Sequence, residues 1–556
     1  MRQRVFGLMG LLFGAACGGG TGPTPPDPAD CTSPLPVTLA VGAHQVVDPA
    51  GSGGCLRVGG ATADEEYLLA VVSGSGLETQ SGVSGPYTLS IGAVGQVAPG
   101  ARQAAGGGPA AAPAEQEGPD AAARFDHRIR QLEAGLVVPP GAGAGPPAAP
   151  APAPVVGEQR SFQVCATDAC TSTNTVNATA RAVGATVAIY ADEANVQFGE
   201  SFQEADYAEL VSAFDNHLHP LAREAFGSES DIDGNGMVLV LVTRRVNDFT
   251  TNCAKGRVIG YFYGGDLLPS LAGSNRAELF FTYAPAPATT QCPAVTRRGA
   301  LNQLKPTLIH EFQHMISFNQ HRLIRSSNQE ETWLNEALSH LAEDLAGQLI
   351  PNSECPGATS CRSLYGSPNL LNAYSAMGNL EQHALVFARS STGTLAERGV
   401  GFLFARWLLD QYGSGTNGFT LSRALLATTK LGRANIEAVT GQGFATLVGE
   451  WQLANYLDDL AGFADLSGRL AFDTWDFRTV MTNPANSGLF PNGYPLLPLQ
   501  VTQALTRSGV LRAGTGRHVI LRAGGTPRDV LLSAEAGSPN QPDPALAARI
   551  AIARIR

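Results

Sequence analysis

Strand-rich sequence followed by a long helical stretch predicts an α+β fold. We expect a mixed sheet, then a helical C-terminal lobe, with small β modules on either side. Three observations carry the prediction. Short apolar–polar alternations bounded by glycine mark strands before residue 95 and after residue 466. Further strand-like runs fall between about 176 and 285. From about 299 to 465 most of the apolar spacing becomes that of helices.

The elements follow in chain order. Residues 1–17 read as an export signal, with "MRQR" as basic region, "VFGLMGLLFGAA" as apolar core, and Cys17 after two small residues. The stretch resembles a bacterial lipoprotein signal. That resemblance implies lipidation at Cys17, a tether over 18–30, and membrane attachment only through this anchor. The expected location is a bacterial cell envelope, or the surroundings if the chain is secreted. Residues 31–95, with "PVTLAVG", "EYLLAVVSG" and "YTLSIGAVG", form an N-terminal β module. Residues 96–158 collapse into Ala, Gly and Pro and read as a linker. One island there, "AAARFDHRIRQLEAGL", has helical spacing. "RSFQVCATDAC", within 159–175, is expected to complete the N-terminal module.

The central domain spans 176–465. "ATVAIYAD" reads as a strand and "QEADYAELVSAFDNHLHPLAREAFG" as a long helix. "MVLVLVT", "RVIGYFYGG" and "AELFFTYAP" read as strands, the last as the sheet edge open to an extended peptide. Helices are expected around 299–320, with Pro306 in the first turn, and around 330–348. A C-terminal β-rich module, 466–556, contains "RHVILRAGG", "RDVLLSAEAG" and "RIAIARIR".

Composition narrows the function classes. At 556 residues with 44% hydrophobic content, the chain supports more than one folded unit with real cores. A formal charge of −11 gives no basic footprint, so nucleic acid is not an expected partner. The most apolar later run, "VGFLFARWLLDQYG", is interrupted by Arg406 and Asp410 and is too short to span a membrane. Of nine cysteines, the eight beyond Cys17 fall into local pairs: Cys31/Cys55, Cys165/Cys170, Cys253/Cys292 and Cys355/Cys361. With no CxxC pair, disulfides in an oxidising compartment are the better reading than zinc knuckles.

"LIHEFQHMISFNQHRL", residues 308–323, carries the chemistry. Residues four apart on a helix sit about 40° apart around the axis and about 6 Å along it, so His310 and His314 can grip one ion. Glu311 lies beside that ion without aiming at it, which suits a general base acting on metal-activated water. Catalytic zinc commonly takes a third protein ligand. The HExxHxxGxxH pattern would supply a later histidine, but those positions hold Ser317 and Gln320. His321 shares the helix face yet lies about 10 Å further along, so it reads as a rim or surface residue. In "ETWLNEALSHLAEDLAG", Trp333, Ala337, Leu341 and Leu345 mark a buried stripe, while Glu336, His340 and Glu343 form a polar one. Alone, that polar stripe is an ordinary solvent face. Beside an incomplete metal site, Glu336 becomes the candidate third ligand, facing His310 and His314 across two antiparallel helices.

"HEFQH" followed by "NEALSH" resembles the gluzincin pattern, HExxH with a later NExxS helix. The run from about 300 to 346 is most similar to the hyicolysin-type family of secreted bacterial metallopeptidases, and the likeness extends more loosely back to about 180. The resemblance implies a zincin-like catalytic domain and an endopeptidase acting on proteins or peptides. It further implies His310, His314 and Glu336 as zinc ligands and Glu311 as catalytic acid/base. In thermolysin-like relatives an Asp four residues after the ligand Glu orients a zinc histidine; here that position is His340. His340 is therefore read as a substrate-polarising donor, or as a rival ligand to Glu336. Candidates for stabilising the oxyanion are His340, Tyr261, Tyr263, Tyr365 and Tyr374. The competing functions are a surface-anchored binding lipoprotein with an inactive zincin fold, and a zinc hydrolase of non-peptide bonds.

"SDIDGNGMV" sets Asp231, Asp233 and Asn235 at alternate positions, with Gly236 where a calcium loop turns. The bidentate Glu of an EF-hand is absent, since Val242 stands there. Calcium at these three residues and an Asp/Gly turn needing no ion both remain open.

Overall fold

The computed structural model describes residues 30–97, 121–139, 150–197, 201–390, 393–535 and 540–556. The expected signal with Cys17, and the tether up to residue 29, lie outside the described residues. The chain is mixed α+β, 38% helical and 21% strand, as the sequence predicts.

Five strands come first: β1 (Leu35–Val37), β2 (His44–Val47), β3 (Cys55–Val58), β4 (Glu66–Ser73) and β5 (Ser84–Ala93). Helix α1 (Ala121–Ala134) follows, inside the stretch expected to be a linker. Next come β6 (Gln159–Cys165), β7 (Thr173–Val183) and β8 (Val187–Asp192). The predicted long helix is α2 (Glu204–Ala213) and α3 (His219–Phe226), joined through a π-helical turn over Phe214–Leu218. Strand β9 (Val238–Val242), the short α4 (Arg244–Asn247), β10 (Gly260–Phe262) and β11 (Leu279–Thr282) complete this half.

The helical lobe contains α5 (Arg297–Phe318), α6 (Thr332–Leu349), α7 (Cys361–Met377), α8 (Leu395–Tyr412), α9 (Phe419–Leu426), α10 (Gly432–Thr440), α11 (Phe444–Leu457) and α12 (Phe477–Thr482). The chain ends in β12 (Leu499–Val501), β13 (Leu505–Arg512), β14 (Gly516–Arg522), β15 (Arg528–Ser533) and β16 (Ala548–Arg554).

Strand pairing corrects the expected partition. The segments 31–95 and 466–556 do not make separate modules. Their strands interleave in two shared sheets, ordered β1-β3-β15-β5-β13 and β12-β14-β4-β16-β2. Strands β6 and β7 pair with β8, so 159–175 belongs to the central sheet and not to the N-terminal module. Residues 466–498 pack with the helices: Phe472, Trp475 and Phe477 are buried there, and Trp475 Nε1 donates to Asp344 at 2.8 Å.

Strand β4, "EYLLAVVS", explains how sandwich and lobe are joined. Leu69 and Val71 enter the core between the two sheets, while Leu68, Ala70 and Val72 join the main core. A strand buried on both faces needs a continuous apolar run, and this one has it.

The central sheet runs β10-β11-β9-β8-β7-β6. Strand β11 is therefore interior, paired with β9 on one side and β10 on the other, and the expected edge moves to β10. Helix α5 starts at Arg297, where the Thr296 hydroxyl caps the Gly299 amide at 3.1 Å. Pro306 accordingly lies mid-helix instead of in the first turn. All eight described cysteines pair as their spacing suggested: Cys31–Cys55, Cys165–Cys170, Cys253–Cys292 and Cys355–Cys361. Among the described residues, no helix is long and apolar enough to cross a membrane. Arg406 in α8 instead pairs with Asp410 at 2.6 Å and Asp344 at 3.2 Å.

Candidate metal centre

Helices α5 and α6 run antiparallel. His310 meets Glu343, His314 meets Ser339, and His321 approaches Glu330, so numbering rises along one helix as it falls along the other. This brings the two predicted stripes face to face. His310 Nε2 and His314 Nε2 lie 3.2 Å apart, and the Glu336 carboxylate sits 3.6 Å from the first and 3.5 Å from the second. One ligand atom from each of the three residues falls within 4.8 Å of the others. All three side chains are buried.

The donor set fits a divalent cation. Both Glu336 oxygens are buried without a hydrogen-bond partner. A carboxylate desolvated in this way is costly unless cationic charge compensates it, and Arg398, 3.5 Å from one oxygen, supplies part of that charge. Burial pushes its pKa up, but Arg398, His314 and His310 outweigh burial and hold it well below the usual carboxylate range. His310 shows the complement. Burial pushes its pKa down, yet Glu336 and Glu343 lift it well above the usual imidazole range. A proton on His310 thus answers the same demand for positive charge that a metal would.

The imidazoles are oriented from behind. His310 Nδ1 lies 2.7 Å from Glu343 Oε1, and the second Glu343 oxygen takes Asn369 Nδ2 at 2.9 Å and faces His340 Nδ1 at 3.3 Å. Burial would raise the Glu343 carboxyl, but His340 and His310 draw it down to about 2. Ser339 Oγ stands 3.1 Å from His314 Nδ1 and donates to Gln313 Oε1 at 2.5 Å. A carboxylate behind a ligating histidine is the usual device for fixing its tautomer and ring plane. Spacing places Glu343 in the polar stripe without marking it for this role. A second grouping, His310 with His340 and Glu343, also falls within 4.8 Å. It uses the far side of the His310 ring, away from His314.

Glu311 points at the sheet. Its Oε2 accepts the Phe262 amide at 2.9 Å, which ties it to edge strand β10. Burial pushes its carboxyl up to about 7, against the pull of His310 and Arg130. The field of a divalent cation beside it would pull that value back down.

The remaining predicted residues separate. His340 packs its ring 4.9 Å from that of His310. Tyr261 is buried and stacked on Phe281, with its hydroxyl toward the Cys165 amide. Tyr374 accepts the Asn492 amide, Tyr365 is buried, and Tyr263 lies against Gly265. No contact assigns one of them to an oxyanion. His321 is not a surface residue. It is fully buried, and burial pushes it down to about 4.

In the acidic loop, Asn235 spends its side chain on turn bonds, donating to Asp233 and accepting the Met237 amide. The third carboxylate near Asp231 and Asp233 belongs to Glu278, immediately before β11. Sequence reading missed it because it lies outside the loop.

Two imidazoles and a carboxylate converge beside a second, amide-anchored carboxylate, which is a donor set of the kind that metal-dependent hydrolases use. Comparison with characterised proteins finds similarity to a metalloprotease. That relative is the neutral metalloprotease ShpI of Staphylococcus hyicus, 36% identical over 137 residues. The match spans 24% of this chain and 29% of the relative's length. No family model matches the chain.

Proposed function

We propose that this chain is an exported zinc-dependent endopeptidase of the gluzincin type. His310, His314 and Glu336 hold the metal, and Glu311 is the acid/base that hydrolyses a peptide bond. The observation that carries the reading is the buried Glu336 carboxylate, 3.6 Å and 3.5 Å from two imidazole Nε2 atoms, with neither oxygen hydrogen-bonded and the Arg398 guanidinium 3.5 Å away. The partial likeness to a neutral metalloprotease supports the reaction class. Four disulfides suit an oxidising compartment, and hence export, with a lipid anchor at Cys17 as the finer form of that proposal.

When bound, zinc supplies Lewis-acid polarisation of a water and of the scissile carbonyl. Glu311 accepts the proton of the attacking water and delivers it to the leaving amine, held in register by the Phe262 amide. Glu343 and Ser339 keep the two imidazoles aimed, so their work is positioning. His340 reaches the site through Glu343 and stands as a positioning residue in this reading.

Replacing Glu311 tests it. Glu311→Gln keeps size and polarity while removing the base, so casein cleavage should fall by about 10²–10⁴-fold. Zinc content by metal analysis should stay at one per chain. Cleavage that survives the substitution would refute the assignment.

A further inference from the structure

The geometry points to a second cation site, for calcium, formed by Asp231, Asp233 and Glu278. Their ligand oxygens lie within 4.8 Å of one another. An acidic loop alone would mean little. Glu278 supplies the independent observation: its side chain is 1% exposed, and its Oε2 is buried with no hydrogen-bond partner. The other oxygen accepts the Ser230 hydroxyl at 2.6 Å and the Ile232 amide at 2.9 Å, which holds the carboxylate against the loop. Three ionised carboxylates at this separation repel unless a proton or a cation joins them, and an all-oxygen donor set favours a hard cation.

The loop is shaped for that arrangement. Asp231 accepts the Gly236 amide, Asp233 accepts the Asn235 amide, and Gly236 takes φ +70°, a conformation that favours glycine. Strands β9 and β11 run parallel, with Leu239 opposite Leu279, so loop and Glu278 stand at the same end of two central strands. A cation there would clamp the entry of both. Calcium chloride titrated into the zinc-loaded full chain should bind once per chain and raise the melting temperature by at least about 2 °C. Asp231→Asn and Glu278→Gln should each weaken that binding at least about tenfold with zinc content unchanged. Asp231 is exposed, so its variant carries the test if Glu278→Gln does not fold. Absence of binding, equal response to magnesium, or unaltered affinity in a folded variant would overturn the site.

A different observation carries a second proposal, which rests on the peptidase reading. Helix α1 reaches the Phe262 end of edge strand β10 and the turn that follows it. Arg130 Nη2 donates to the Phe262 carbonyl at 3.0 Å, and Glu133 Oε1 accepts the Gly264 amide at 2.6 Å. The Phe262 amide is taken by Glu311, so both main-chain groups of Phe262, and the Gly264 amide in the turn after β10, are occupied. Asp126 pairs with Arg398 at 2.8 Å, and Arg398 in turn stands 3.5 Å from Glu336. Phe125 stacks on Phe249 and meets the edge of Tyr261, anchoring the helix. His310, Glu311 and His314 are left 7%, 5% and 2% exposed, too little for a polypeptide to reach.

We infer that α1 is an autoinhibitory cover, seated where an extended substrate would pair with β10. Weakening its apolar anchor with Phe125→Ala plus Ile129→Ala touches no proposed ligand or base. The variant should lose zinc to a chelator, and cleave casein, at least about tenfold faster than the wild type. Unchanged zinc extraction would overturn the cover. Faster extraction without cleavage would instead refute the peptidase reading and leave the cover standing. If the variant does not fold, hydrogen exchange on the wild-type chain decides. Residues 121–134 should exchange well before α5, and simultaneous exchange would mark α1 as fixed core.

Discussion

Glu343 is the residue on which the site's precision depends, because one carboxylate restrains both His310 and His340. Its replacement by Gln keeps the contact to Asn369 but weakens the grip on the His310 ring. Zinc affinity should fall by about 10–100-fold, measured by competition with a chromophoric chelator, while the folded state persists. Unchanged affinity would mean that the ring is held by packing alone. At this scale the sequence was partly legible. HExxH spacing exposes His310, Glu311 and His314, because four residues is the repeat that aligns side chains on a helix. Glu336 is legible through its stripe. Arg398 is not, since it lies 62 positions beyond Glu336 and no local pattern links them. The Phe262 amide that holds Glu311 is backbone, which no residue type announces.

Among the elements, edge strand β10 and the turn after it matter most. Asp266, in that turn, accepts the Asn275 amide and side chain, and Asn275 bonds in turn to Gln163 of β6. Burial pushes the Asp266 carboxyl from its ordinary 3.8 up to about 7, against its Asn275 bonds. The folded state therefore holds this proton more tightly than the unfolded chain does. The resulting stability is fully present below pH 3.8 and is lost as pH rises through about 7. Asp266→Asn does not titrate, so the melting temperature of the variant minus that of the wild type should climb steadily from pH 4 to pH 7. A difference that stays flat with pH would refute the protonated state. Periodicity revealed that β10 and β11 exist but not their order, because pairing is decided by side chains and connections far apart in sequence. The same limit hid α1. Its helical spacing was plain, but the surface it covers belongs to β10, about 130 residues on.

Across the whole molecule, the two chain ends close one β-sandwich. Strand β15 sits between β3 and β5, and β16 between β4 and β2, so neither end has a complete sheet without the other. Truncation before Leu499 would strip the interior partners from both sheets and expose Leu69, Val71 and Leu89. The truncated chain should be insoluble or lose sandwich protection in hydrogen exchange. A soluble fragment with N-terminal strands still protected would contradict the shared sheets. Alternation made each strand legible while leaving two modules as the natural reading, since local pattern carries no record of a partner more than 400 residues away.

Anomalous scattering at the zinc edge from crystals of the zinc-loaded full chain decides whether His310, His314 and Glu336 hold the metal. A peak is expected about 2.0–2.2 Å from His310 Nε2, His314 Nε2 and a Glu336 oxygen. A peak between His340 and Glu343 on the far side of the His310 ring, or none near α5, would contradict that assignment.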